Sequence, residues 1–342
     1  MSPIELPPPL TGRSVTLKQI AAHLNLSVTT VARALRGGER LGAETVARVR
    51  AAADDLGYVR NLDGLRLRTG RTHTILALLG TAEDGEVGDP GSSGLTIGMQ
   101  RRLAGTGYVV QSISISIDDR SPDLLSRLLA GNRTDGLILD HIEPDDPRVA
   151  LLERIGQPFV AFGRSSADPS HAYFDIDNAH AAHIGTASLI ARGFRRPALV
   201  EASPDLNFAR DRVAGYRAAL AEAGIPYDPA LVLHCQSDAA AIRVATRTLA
   251  LTHPPDAWVC SNEIFLFGAL AGARDAGQDL DKTGFHLRSA TNIGAYLGVP
   301  LTTAHYPREQ VGWHLADLIL QQIEGTPARR LQRLERTELR SY

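Results

Sequence analysis

The sequence predicts an all-α helix-turn-helix headpiece followed by a larger α/β body of two lobes. Three observations carry that expectation. Two short amphipathic helical stretches with a tight turn between them lie within the first forty residues. From His73 onward, short apolar runs alternate with helical stretches over about 270 residues. The charge is divided along the chain: residues 1–72 hold 11 Lys+Arg against 6 Asp+Glu, and the remaining 270 hold 25 against 32. A chain of 342 residues exceeds one compact domain and suits a small module joined to a two-lobed unit.

The N-terminal stretch 1–14 carries Pro3, Pro7, Pro8 and Pro9 and lacks the apolar core of a signal peptide, so it reads as a disordered arm. No run of 18 apolar residues exists, and the expectation is a cytoplasmic protein without a membrane partner. Cys235 and Cys260 read as buried thiols, since two cysteines cannot make a disulfide framework.

Residues 15–60 form the expected headpiece. Leu17, Ile20, Ala21 and Leu24 make one helical stripe, and Thr16 with Gln19 three residues later has capping-box spacing. Asn25 tolerates the left-handed conformation that a tight turn demands. Ser27 then caps a second helix in which Val31, Ala34 and Leu35 face inward, leaving Val28, Thr29, Ala32 and Arg33 outward or near its start. A third helix at about 43–56 supplies Val46, Val49, Ala53 and Leu56 to the core. Side chains early in the second helix of such a unit reach base edges in the major groove. Arg33 can donate twice to a guanine, and Val28 or Thr29 can touch a thymine methyl. Thr16, Ser27 and Thr30 suit phosphate contacts. A net charge of +5 on this end against −7 on the rest confines phosphate attraction to the headpiece. A three-helix packing module with solvated arginines is the alternative that spacing leaves open.

Val15 through Tyr58, with its Ser27-Val28-Thr29-Thr30-Val31-Ala32-Arg33-Ala34-Leu35 run and Leu56-Gly57-Tyr58, resembles the headpiece of the LacI/GalR family of bacterial regulators, and the likeness continues at lower density to the C-terminus. The resemblance implies that 61–72 is a hinge helix entering the minor groove from an Asn61 cap. Leu67 would be the apolar wedge between base steps. Arg60, Asp63 and Gly64 depart from the family pattern, and Gly64 alone costs a helix about 0.5–1 kcal/mol. A plain linker remains the other reading.

In the body, 75–79, 108–110, 136–139, 159–162, 197–200 and 257–260 read as strands, with helices at 95–104 and 123–130. For 73–342 the resemblance implies the periplasmic-binding-protein fold with a small-molecule effector, most simply a sugar, held between lobes. Arg212 in Arg212-Val213-Ala214-Gly215-Tyr216 and Asn262 in Ser261-Asn262-Glu263 match segments that meet the effector in the family. A guanidinium fork suits vicinal hydroxyls or a carboxylate, and an amide offers both donor and acceptor. Phe208 and Tyr173 fall at ring-facing positions, and Arg164 follows a strand. Gly284-Phe285-His286-Leu287 stands against the family's Gly-Phe/Tyr-Asp-Asp, so His286 would replace a sugar-binding aspartate and select a different or more anionic ligand. Ser237 takes a position where some sugar-responsive members have an aromatic.

Catalysis is not expected. The segment 88–94 lacks the glycine spacing of a phosphate loop, the histidines lack zinc-ligand spacing, and no Gly-x-Ser-x-Gly elbow occurs. No metal or cofactor is implied. The expectation is therefore a repressor that binds a pseudo-palindromic operator as a homodimer, since the chain ends at Tyr342 without a heptad helix that would add a tetramer. The competing class is a sugar-binding protein of transport or chemoreception. It would carry a signal peptide and no headpiece.

Overall fold

Thr16 and Gln19 close the capping box reciprocally. The Gln19 amide donates to Thr16 Oγ1 at 3.4 Å and the Thr16 amide to Gln19 Oε1 at 2.8 Å, which fixes the start of α1 (Leu17–Leu24). Asn25 ends it in the left-handed region at φ 54°. Ser27 Oγ accepts from the Thr30 amide at 3.0 Å and starts α2 (Val28–Ala34), while α3 (Ala43–Asp55) closes the unit. Ile20, Ala21, Val31, Ala34, Val49 and Ala53 form its buried core. The structure, a computed structural model, describes residues 15–35, 41–58, 70–81, 90–116, 121–131 and 134–342. The chain divides into two units, Met1–Gly70 and Arg71–Tyr342. The arm 1–14 and the hinge positions Arg60, Asn61, Asp63, Gly64 and Leu67 lie outside the described residues.

The second unit contains two six-stranded sheets, as the alternation of apolar runs and helices implies. The first runs β11-β5-β4-β3-β1-β2, all parallel. It comprises β1 (Thr74–Thr81), β2 (Val109–Ser116), β3 (Gly136–Leu139), β4 (Phe159–Phe162), β5 (Ala172–Ile176) and β11 (Gln332–Glu335). Side chains alternate between faces along each strand. Ile75, Ala77 and Leu79 therefore pack under α4 (Pro90–Leu103) and α11 (Arg308–Ile323), while Leu76 and Leu78 join the cluster beneath α5 (Pro122–Gly131) and α6 (Pro147–Ile155). The first of these helices starts at Pro90, not at 95. Proline's fixed φ suits a first helical turn, so the helix takes in residues 90–94 as well.

The second sheet runs β12-β10-β9-β8-β6-β7. Its strands are β6 (Pro197–Glu201), β7 (Val232–His234), β8 (Ala257–Cys260), β9 (Gly284–Ser289), β10 (Leu301–His305) and β12 (Glu338–Ser341), the last antiparallel to β10. Helices α7 (Asn178–Ala191) and α8 (Asn207–Glu222) cover one face; α9 (Ala239–Thr252) and α10 (Glu263–Asp275) cover the other. Cys260 is buried and free, as expected of a central strand. Cys235 is only half-buried, because it follows β7 at the sheet edge. The chain passes between lobes three times, between β5 and α7, between β10 and α11, and between β11 and β12.

Candidate functional site

On the headpiece, the outer face of α2 is polar and open. Val28, Thr29 and Arg33 are exposed, Thr30 and Ala32 partly so, and Val31 and Ala34 are buried beneath them. Ser27 Oγ lies 2.7 Å from both Thr29 Oγ1 and Thr30 Oγ1, so the hydroxyls cluster at the amino end of the helix. Unpaired helix amides and three hydroxyls at such an end suit an anion such as a backbone phosphate. Arg33 stands one turn further along the same exposed face.

In the body, a cavity of about 210 Å³ opens where the carboxyl ends of the two sheets meet. Parallel strands place their following loops at this end, which is where ligands bind in open α/β sheets. Asp140, Phe162 and Asp175 line it from the first lobe, and Arg212, Asn262 and Arg288 from the second. Arg212 is nearly fully buried. Its Nε and Nη2 donate to Glu201 Oε2 and Oε1 at 2.6 and 2.9 Å, and its Nη1 donates to Asn178 Oδ1 at 2.8 Å. Three of five N–H donors are thus committed and two remain. The guanidinium also lies over the Phe208 ring, 4.7 Å from its centroid.

Asn262 caps α10, its Oδ1 accepting from the amides of Ile264 and Phe265 at 3.0 and 3.2 Å. Only its amide N–H groups are left for a ligand. Burial would raise the Asp140 carboxyl, but His141, whose Nδ1 lies 3.1 Å away, and Arg308 hold it below the usual carboxylate range. Burial raises Asp175 in spite of the Arg164 ion pair at 2.8 Å.

Two family models match this chain. The model for the bacterial regulatory proteins of the lacI family covers residues 16–61. The model for periplasmic binding proteins and the sugar-binding domain of the LacI family covers residues 72–338. The chain belongs to the LacI family. Among curated relatives, the HTH-type transcriptional regulator AglR of Rhizobium meliloti (strain 1021) is 32% identical over 95% of this chain and 92% of its own. RafR of Escherichia coli, another HTH-type transcriptional regulator, is 32% identical over 93% and 95%. A solved complex of the transcriptional regulator CelR with cellobiose superposes with a TM-score of 0.72 at 26% identity, covering 95% of this chain and 98% of that one. As a LacI-family member the protein is a DNA-binding transcriptional regulator and not an enzyme.

Within this family frame, the sequence-derived cleft residues separate into two groups. Arg212, Asn262 and Phe208 stand together in the cavity, and Ser237 also lines it. Arg164, Tyr173 and His286 do not line it. Arg164 instead pairs with Asp175 at 2.8 Å and reaches Asp211 on α8 at 2.5 Å, so it positions a cleft carboxylate and ties the lobes. Tyr173 packs against the cluster on the other side of the first sheet. His286 is buried between β9 and α7, with Nδ1 3.0 Å from Thr302 Oγ1, and burial lowers its pKa to about 3. It is a neutral core residue behind the cleft wall.

The cleft position on β9 is Arg288, two residues beyond His286. Both point to the same face of the sheet, but one further pleat, roughly 7 Å, carries the side chain past the helical cover. Asp140, Asp175, Asn178, Arg288, Tyr306 and Arg308 were not anticipated. Most of them lie at or just after a strand's carboxyl end, a signal that was readable wherever the strand itself was recognised.

Proposed function

We propose that the protein represses transcription by binding a pseudo-palindromic operator as a homodimer, and that a sugar or sugar derivative in the interlobe cleft changes its operator affinity. The observation that carries this is the combination, in one chain, of an exposed recognition helix with a cleft to which both lobes contribute charged and polar groups. Val28, Thr29, Ala32 and Arg33 read base edges, and Thr16, Ser27 and Thr30 hold phosphates. Asn61 caps the hinge segment and Leu67 wedges into the central step. Arg212, Asn262 and Phe208 hold the effector, with the Arg212 fork and the Asn262 amide donating to its oxygens. A cytoplasmic location goes with a DNA-bound function. The CelR–cellobiose complex supports a carbohydrate as the effector class.

Selection of bound fragments from a random duplex library at about 0.15 M salt, where non-specific attraction is modest, tests the reading. An inverted repeat is expected. Arg33→Ala should relax preference at one base pair by about 1–3 kcal/mol, and Leu67→Ala should weaken bent sites most. No symmetric enrichment, with or without metabolite extract, would remove the operator model.

A further inference from the structure

Several charged groups around the cleft have a partner of opposite charge or a histidine beside them. Arg212 is neutralised by Glu201, Arg164 by Asp175 and Asp211, and Asp140 has His141 beside it. Arg288 differs. Its Nε donates to the Ser261 carbonyl at 3.2 Å, its Nη1 donates to the Tyr306 hydroxyl at 2.9 Å, and its guanidinium lies 5.1 Å from the Tyr306 ring centroid. Each of these partners is neutral. Among the described residues no carboxylate forms an ion pair with Arg288, although it is largely withdrawn from solvent and lines the cavity. A partly desolvated cation without a counter-ion is costly, and proteins retain one where a ligand supplies the missing charge.

A second feature points to the same place. Ser261 is 3% exposed and lines the cavity, yet its Oγ has no hydrogen-bond partner among the described residues. Arg288 keeps three N–H donors unengaged and Arg212 keeps two. The second-lobe wall therefore offers a cluster of donors with a net positive charge, while Asp140 and Asp175 stand on the first-lobe wall. Burial pushes the Arg288 guanidinium pKa down and the neighbouring charges of Arg212 and Arg308 add to that, while Tyr306 and the more distant Glu263 pull the other way without reversing it. An anion at this wall would relieve both effects.

From this geometry we infer that the effector is a polyhydroxylated molecule bearing a carboxylate or phosphate. The anionic group sits on Arg288 with Ser261 and Arg212 as further donors, and the hydroxyls face the first-lobe carboxylates. This rests on the cleft being the effector site. It also moves the selection for an anion from His286, where the family motif had suggested it, to a residue that reaches the cavity.

The test is calorimetric titration of the full chain at constant ionic strength with matched series: glucose, glucuronate and glucose 6-phosphate, then galactose, galacturonate and galactose 6-phosphate. At least one acid should bind about tenfold or more tighter than its neutral parent, and the uronate and phosphate arms separate the two anions. Arg288→Gln should bring acid and parent to within about threefold of each other, and Arg288→Lys should restore part of the preference. Thermal unfolding followed by fluorescence of the buried Trp258 checks that both variants fold. Equal binding of neutral and acidic members, an acid preference unchanged in Arg288→Gln, or no binding in either series would each overturn the inference. Operator binding by the same preparation is scored separately, so loss of this inference leaves the regulator reading to stand or fall by the duplex selection.

Discussion

Replacing Arg212 with methionine separates its structural role from its role toward ligand. Glu201 is fully buried and accepts both bonds of a bidentate pair at 2.6 and 2.9 Å. Removing the guanidinium leaves that carboxylate without its counter-ion and Asn178 Oδ1 without its 2.8 Å donor. Breaking a buried pair from one side costs about 3–5 kcal/mol, a large part of the 5–15 kcal/mol typical of a whole domain. The double variant Arg212→Met, Glu201→Leu removes both charges, and its cost should fall to about 1–2 kcal/mol, since apolar replacement of a buried pair is often near neutral. Both tryptophans, Trp258 and Trp313, lie in the body, so urea unfolding followed by fluorescence reports that unit without the headpiece. The midpoints should shift at constant m-value. A single variant costing under about 1 kcal/mol, or a double variant no more stable than the single, would refute the assignment of Arg212 as a buried counter-ion. The stable double variant should still fail to bind effector, since the two uncommitted N–H groups go with the side chain.

Three further outcomes follow from local geometry. Ser27→Ala should cost the headpiece about 1 kcal/mol, and Ser27→Gly only a few tenths, because the 3.0 Å bond to the Thr30 amide is a helix cap; circular dichroism melts of the two variants check it. A Cβ at Gly185 would lie 2.1 Å from the His286 ring, so Gly185→Ala should cost about 1–3 kcal/mol in urea unfolding, and adding His286→Ala should recover part of that loss. The histidine also sets a pH dependence. Its folded pKa of about 3 lies below the ordinary 6.5, so between these values the unfolded chain takes up a proton that the folded chain refuses. Stability should therefore fall as pH drops through that window, by up to about 1.4 kcal/mol per unit. His286→Asn should flatten the slope between pH 6 and 4, and parallel wild-type and variant profiles would contradict a neutral buried imidazole.

Much of the architecture was legible because it depends on local chemistry. Thr16, Gln19, Asn25 and Ser27 announce helix ends by their own hydrogen bonds and backbone preferences, and these do not depend on the rest of the chain. Strands such as 136–139 and 159–162 are apolar on both faces because both are covered, and such runs stand out. Strands β11 and β12, with Gln-Arg-Leu-Glu and Glu-Leu-Arg-Ser, are polar, and the edge strand β7 is only three residues long, so none carries such a signal. The site was less legible for a geometric reason. Whether a residue at the end of a strand meets the cleft depends on where the covering helices stop, and an offset of one pleat decides it. His286 and Arg288 share a face, yet one is core and the other is cleft. Arg164 was attractive as a ligand because it follows a strand, but two carboxylates, one of them from the other lobe, already hold it. That pairing is long-range and leaves no trace in local sequence.

A ligand shifts an equilibrium between lobe arrangements only through contacts that differ between them. The cavity is suited to this because several of its groups sit on the segments joining the lobes. Asn178 begins α7 directly after one crossing and is bonded to Arg212 at 2.8 Å. Tyr306 and Arg308 flank another, and Tyr306 accepts from Arg288 at 2.9 Å. A molecule engaging Arg212 and Arg288 thus acts on groups coupled to the pivots, where a small rotation becomes a larger displacement at the far ends of the lobes. Moving a two-state balance from 1:99 to 99:1 needs about 5.5 kcal/mol of differential affinity. Hydrogen bonds to charged groups contribute about 1.5–3 kcal/mol each, so two to four of them formed in one arrangement alone would suffice. The five uncommitted N–H groups of Arg212 and Arg288 are enough to supply them. The Arg164–Asp211 link opposes any arrangement that separates its ends, so the free-energy gap the effector must overcome includes that interlobe pair.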